Sequence, residues 1–350
     1  MANIAGVFRS VSLVASITLM ATPAFAASGD LFEGMTSQIP DPVPVTDQLT
    51  IGSPIQEGGI TIFPIIDSGA EKLQPEDTLV SLPEALRDGT LTVNEQGHGA
   101  TVARLWVHNT GKQPVLVMSG ELLHGGSQDR VITRDVIIPP TQRPIAVNVN
   151  CVEQGRWDSA TRGHTFAYGG RAELGLRRVV QVERDQGATW RAVSQLNGAK
   201  LRRLAAYGVH DASLAPSTGT YMASVNSLVV DRQVDKVADE VMDRLDKVHG
   251  AVGVVVAFNG RMVASELYGH PGLFQGVSRA TIEAVARDGL TTGVIYGDAA
   301  RPSNAVAAAF LSDALGEGMV ADGFDAGEDT WSYVTHDLDG RVVHFESYRR

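Results

Sequence analysis

Residues 252–268 read VGVVVAFNGRMVASELY. Two apolar runs, Val252 to Phe258 and Arg261 to Tyr268, flank Asn259-Gly260, the dipeptide favoured by a type I′ turn. The segment is therefore expected to form a β-hairpin, an antiparallel pair. Upstream of it, Val234, Val237, Ala238, Val241, Leu245 and Val248 recur at helical spacing, with Asp235, Asp239, Asp243 and Asp246 off the stripe. That pattern predicts a surface helix with a solvated acidic face. Downstream, Arg279 to Asp288 and Ser303 to Leu315 predict two more helices. Asp339-Gly340 then closes a second hairpin between Thr330 to Leu338 and Arg341 to Tyr348. Taken as a two-residue loop, it sets His336 opposite Val343 and His344 opposite Thr335, pointing to opposite faces, so these two histidines should not share a metal.

Working back towards the N-terminus, the period changes. Ala172 to Gln195 and Ala199 to Tyr207 carry helical spacing, with Gly187 interrupting the first. Before Trp157 the pattern is short β-runs: Gly59 to Ile66, Ala100 to His108, Pro114 to Met118, Arg130 to Ile138 and Ile145 to Cys151. Asn109 to Lys112 reads as a turn and Pro139-Pro140 as a strand stop. Ser81 to Arg87 reads as a short helix with Ser81 as N-cap and Pro83 in its first turn. The fold class this implies is α+β, with a β-rich N-terminal half (an antiparallel or mixed sheet) followed by helices interleaved with β-hairpins. No βαβ alternation points to a parallel sheet.

The first 26 residues have the form of a secretory signal: Arg9, an apolar run from Val11 to Met20, and Ala24-Phe25-Ala26 before cleavage at Ala27. The run is too short to span a bilayer, and a periplasmic or secreted location is the expectation. Removing the segment changes the formal charge from −11 to −12. Residues 27–50, with Pro40, Pro42 and Pro44, read as an extended linker. Residues 51–350 read as a single α+β domain with a possible subdivision near 157–170. An acidic chain with a pI near 5.3 argues against a nucleic-acid partner, since that affinity comes from Lys and Arg. The single cysteine, Cys151, has no intramolecular disulfide partner. It is either a small buried hydrophobe or a reactive thiol.

Chemistry-bearing residues concentrate in two strings at strand ends, Gly120-Glu121-Leu122-Leu123-His124-Gly125-Gly126-Ser127-Gln128-Asp129-Arg130 and Asn150-Cys151-Val152-Glu153-Gln154-Gly155-Arg156-Trp157. Glu121 and Glu153 are an acid/base pair if they face one pocket. Arg130 and Arg156 suit a phosphate or carboxylate, and Trp157 could stack on a ring. The alternative is that the same residues form Glu–Arg salt bridges tying two loops together. No H-E-x-x-H, paired C-x-x-C, G-x-S-x-G or phosphate-loop signature occurs, and no cofactor is implied. A metal site from Glu121, His124 and His164, serving a metal-dependent hydrolase, is a lesser reading.

These two strings, with Ser217 to Tyr221, Asn259-Gly260 and Leu267-Tyr268-Gly269, resemble the ADP-ribosylglycohydrolase- and rhodanese-phosphatase-associated domain family. The resemblance covers most of residues 51–350. It implies a link to enzymes that handle ADP-ribose or related nucleotide derivatives, with Glu121, Gln128, Arg130, Cys151, Glu153, Arg156 and Trp157 as site residues. Within that set Glu121, Glu153 and Cys151 would be catalytic and Gln128, Arg130, Arg156 and Trp157 would bind ligand. Ser127 and Asp129 depart from the family pattern, which usually has Lys and Asn there, so a phosphate grip by that Lys is missing. The expected function is an exported protein that binds or processes a small anionic ADP-ribose-like molecule. The rival is a non-catalytic envelope protein.

Overall fold

Asn259 and Gly260 both take positive φ, 47° and 80°, as a type I′ turn demands, and the hairpin they close is central to the largest sheet. The computed structural model describes residues 43–69, 79–95, 103–156, 165–297, 301–316, 324–326 and 330–349. Its first part runs β1 (Val43–Pro44), β2 (Leu49–Ile51), β3 (Ile55–Glu57), β4 (Ile60–Asp67), β5 (Val80–Ser81), α1 (Leu82–Arg87), β6 (Leu91–Asn94), β7 (Arg104–Asn109), β8 (Val115–Val117), β9 (Glu121–Gly125), β10 (Arg130–Ile132), β11 (Val136–Ile138), β12 (Ile145–Cys151) and β13 (Phe166–Arg171). There follow α2 (Leu174–Val182), α3 (Gln186–Ala206), α4 (Met222–Val225), α5 (Leu228–Leu245), β14 (Ala251–Phe258), β15 (Arg261–Tyr268), α6 (Pro271–Thr292), α7 (Asn304–Gly316), β16 (Phe324–Ala326), β17 (Thr330–His336) and β18 (Val342–Arg349). The protein is α+β.

The large sheet has the order β1-β2-β4-β14-β15-β18-β17-β16, with β3 also on β4, and is antiparallel throughout. A second antiparallel sheet runs β13-β9-β10-β12-β7-β6, and β11-β8-β5 forms a small third one. Apolar residues of α5 and α6 cover one face of the large sheet, packing Val237, Val241, Val277 and Val285 against Val254 and Val256. On the opposite face, α7 packs Ala307 and Leu311 against Phe63, Val255 and Phe345. α6 also meets β13, α2 and α3, so it lies between the two large sheets. No helix among the described residues is long and apolar enough to cross a membrane.

Most expected elements form, and the differences have local causes. Ser81 caps α1 with a capping box to Glu84, whose Oε2 accepts from the Ser81 amide at 3.1 Å. The helix expected over Ala172 to Gln195 breaks at Glu183–Asp185 and not at Gly187. Arg184 takes φ 52°, and the Asp185 carboxylate then accepts from the Ala188 amide at 2.7 Å to cap α3. Arg130 to Ile138 is two strands, because Asp135 leaves the ladder to accept from the Ser119 amide. The terminal hairpin has a three-residue loop with Gly340 at φ 75°, closed by the Asp337 amide on Arg341 O. His344 does lie opposite Thr335, while a bulge shifts His336 opposite Val342. Residues 43–51, at the end of the expected linker, form β1 and β2 at the sheet edge. The leader with its cleavage point at Ala27, residues 27–42, Trp157 and His164 lie outside the described residues.

Candidate functional site

In the second sheet β9, β10 and β12 are neighbours, with Leu123 opposite Arg130 and Arg130 opposite Cys151. That register carries the ends of both motif strings to one edge. Gly125 (φ 134°) and Gly126 (φ 53°) make the turn out of β9, a path that a side chain at Gly126 would block by striking Phe166. The Gly155 amide binds Thr218 O and the Tyr221 amide binds Val152 O, folding residues 216–226 over the same edge. Between them lies a cleft of about 450 Å³ bordered by His124, Asp129, Glu153, Arg156, Thr220 and Met222.

Asp129 is the hub. Its Oδ1 accepts from His124 Nδ1 at 2.8 Å and from Arg156 Nη2 at 3.2 Å, and its Oδ2 accepts from Thr220 Oγ1 at 2.8 Å. Arg156 also donates from Nε to Glu153 Oε2 at 2.8 Å and from Nη1 to Gly126 O at 3.0 Å. The carboxyl of Asp129 is 2% exposed whereas the His124 ring is 53% exposed. In the neutral tautomer whose Nδ1 donates to Asp129, His124 Nε2 carries the free lone pair. A histidine held by a buried carboxylate beside a cleft is an arrangement suited to general acid–base work.

The structure separates the other expected site residues. Glu153 and Arg156 border the cleft. Arg130 is buried and paired with Glu95 at 3.2 Å, and the Ser127 hydroxyl donates to the same carboxylate at 2.8 Å. Gln128 is buried with its amide on Glu153 O, and its Oε1 receives the Cys151 thiol at 3.0 Å. Burial pushes that thiol up to about 11, which leaves it protonated at neutral pH. Arg130 thus pairs outside the two strings, and the salt-bridge reading describes Arg156, whose guanidinium ties Asp129 of the first string to Glu153 of the second. Glu121 and His124 are three apart on a strand and point to opposite faces, so they do not share a metal.

Glu121 points inward instead, to a centre that was not anticipated. There Arg177 Nη1 donates to Glu346 and, at 3.2 Å, to Glu266, while Arg171 pairs with Glu266 and donates to Tyr268 Oη at 2.6 Å. His344 lies between Asp135 Oδ2 at 2.5 Å and Glu266 Oε1 at 3.1 Å. All these side chains are buried, and together they join α2, β13, β15 and β18. Glu266, His344 and Glu346 are close enough to hold a metal, but two guanidinium groups already neutralise the carboxylates and His344 is bonded through both nitrogens.

This centre sets the expected response to pH. Burial raises Glu121 from 4.5 to about 8; burial, then Glu173, raises Asp288 from 3.8 to about 8. Burial alone would lower His344, but the Asp135 and Glu266 carboxylates outweigh it and raise the group from 6.5 to about 9. Each group binds its proton more tightly folded than unfolded, so stability is present below the ordinary value and lost as pH rises through the raised one. Glu266, held low by the two arginines against its burial, acts in the opposite sense only in acid. The thermal midpoint is expected to fall by several degrees from pH 6.5 to 9. A midpoint that stays level or climbs across that range, followed by differential scanning calorimetry, would contradict this.

The fold and cleft define the class: an α+β protein with a histidine–carboxylate pair at the edge of an antiparallel sheet, above a buried ionic core. Over residues 48–345 the chain matches the ARPP-1 family, the ARG and Rhodanese-Phosphatase-superfamily-associated Protein domain, and it belongs to that family. No curated protein and no solved structure matches it.

Proposed function

We propose that this is an exported small-ligand-binding protein whose cleft takes a ribosyl-bearing, ADP-ribose-like molecule, with His124 as acid/base towards it. The observation that carries the reading is the His124–Asp129 hydrogen bond at the cleft. With His124 neutral, Asp129, Glu153 and Arg156 sum to one negative charge, so a net positive field is not what holds the ligand. Glu153 Oε1 and two of the five Arg156 N–H groups remain for sugar hydroxyls, which carboxylates recognise well. The phosphates of such a ligand are then left towards solvent. Nε2 of His124 takes the proton of a water whose oxygen bonds to the anomeric carbon as the bond from that carbon to its substituent breaks, the substituent leaving with the electron pair and taking a proton from solvent. The link to ADP-ribose chemistry draws support from the family description.

The test is thermal shift of the mature chain with ADP-ribose, NAD and ribose 5-phosphate. At 100 times its dissociation constant a ligand adds about 2.7 kcal/mol, or about 4 °C in a chain of this length. His124→Gln should keep the shift and lower turnover about 100-fold. A chain that none of the three compounds shifts sinks the proposal. One observation favours a structural role instead, namely that Arg156 makes three hydrogen bonds within the chain; on that reading no compound binds and His124→Gln is silent. Export is checked separately, by whether the N-terminus of protein recovered outside the cytoplasm is Ala27.

A further inference from the structure

His124, Met222 and Asn226 border a second cleft of about 420 Å³ as well as the first, so the two clefts adjoin at these residues. The second lobe lies between β13 and helices α5 and α6, and Tyr168, Asp231, Glu283 and Arg287 line it. Its carboxylates are not equivalent. Glu283 and Asp235 are engaged by Arg279, at 2.9 and 3.6 Å, whereas the Asp231 carboxylate makes no hydrogen bond among the described residues.

The second observation is Arg287. The residue is 4% exposed, and its Nε and Nη1 have no hydrogen-bond partner. Its nearest counter-charge is Glu283 at 3.7 Å. A guanidinium buried with two unsatisfied donors is costly, and its side chain borders the cleft, so a small shift of the guanidinium would bring those donors to a ligand acceptor. The Tyr168 hydroxyl beside it is unpartnered too. Gly170, also on the wall, has no side chain, and a Cβ added there would meet nothing within 4 Å.

The demands of the lobe are therefore mixed. A phosphate would satisfy Arg287 but face Asp231, and an amine would do the reverse. A neutral planar group with a donor next to an acceptor satisfies both. We infer that the second lobe is a nucleobase subsite, in which a ring edge donates an N–H to Asp231 and accepts from Arg287, so that the adjoining clefts bind a nucleoside, with the sugar at Glu153 and Arg156. The inference rests on the ribosyl reading of the first lobe and adds the identity of what is attached to the sugar.

Calorimetric titration of the full chain with adenosine, inosine, purine riboside and ribose separates the possibilities. Adenosine and inosine carry adjacent donor and acceptor; purine riboside lacks the exocyclic group. Expected is about tenfold tighter binding of adenosine or inosine than of purine riboside, equivalent to one hydrogen bond. Asp231→Ala, at a half-buried position in the first turn of α5, should erase that preference while Glu153→Gln weakens every ribosyl ligand. Arg287→Met, if it folds, should weaken adenosine and purine riboside alike, since both keep the ring nitrogen that accepts from Arg287, and the Asp231 variant stands without it. Equal binding of purine riboside and adenosine, or a preference that survives Asp231→Ala, overturns the subsite; a loss on Glu153→Gln would then still uphold the first lobe. Failure of all four compounds to bind overturns both.

Discussion

An Arg177→Met variant is expected to lose about 3–5 kcal/mol of stability, the usual cost of leaving one side of a buried ion pair without its partner. In a chain of this length that is a fall of roughly 4–7 °C in the thermal midpoint. Methionine keeps most of the apolar stem, so the loss reports the charge. What remains is Glu346 and Glu266, both buried, with Arg171 as their only other guanidinium among the described residues. Adding Glu346→Gln should recover part of the loss, since a neutral amide leaves no unbalanced charge and can still bond Gln181, whose Nε2 now donates to Glu346 at 2.9 Å. A midpoint within 2 °C of the parent in calorimetry, or a double variant less stable than the single one, would show that these charges do not hold the sheets together.

Gly120→Ala should be comparably severe, at about 3 kcal/mol or more. Gly120 has φ 84°, which costs an L-residue roughly 1–2 kcal/mol, and an added Cβ would collide with Cγ of Arg177. The methyl group would displace the arginine from its carboxylates. The first residue of the motif string is thus a glycine because Arg177 passes over it. Because both substitutions act on Arg177, their effects should be far from additive. If Gly120→Ala and Arg177→Met add within 0.5 kcal/mol in denaturant titrations, the shared cause is wrong.

How much of this was legible in the sequence depended on distance along the chain. The Asn259-Gly260 turn and the α5 stripe are local patterns and formed as expected; Ser227 even supplies the α5 cap, accepting from the Val230 amide. β9 reads as loop in the sequence because two glycines, Gly125 and Gly126, follow Glu121 and His124, yet its first three residues are buried. The His124–Asp129 pair was within reach, five residues apart across a two-glycine turn, but seeing it required recognising that strand and its register with β10. The ionic centre had no local signal. Arg177 meets Glu266 and Glu346 at separations of 89 and 169 residues, and a charge on a strand or helix reads as surface until the partner element is known.

The placement of Glu346 and His344 on the last strand of the large sheet has a consequence for the order in which the molecule is made. Arg171 and Arg177 leave the ribosome long before any residue of β18 exists. Until it does, the second sheet and α2 have two guanidinium groups to bury and too few anions to meet them, so the halves cannot close at full strength. The slow step of folding should therefore be the insertion of β18 between β15 and β17, a contact of long sequence separation.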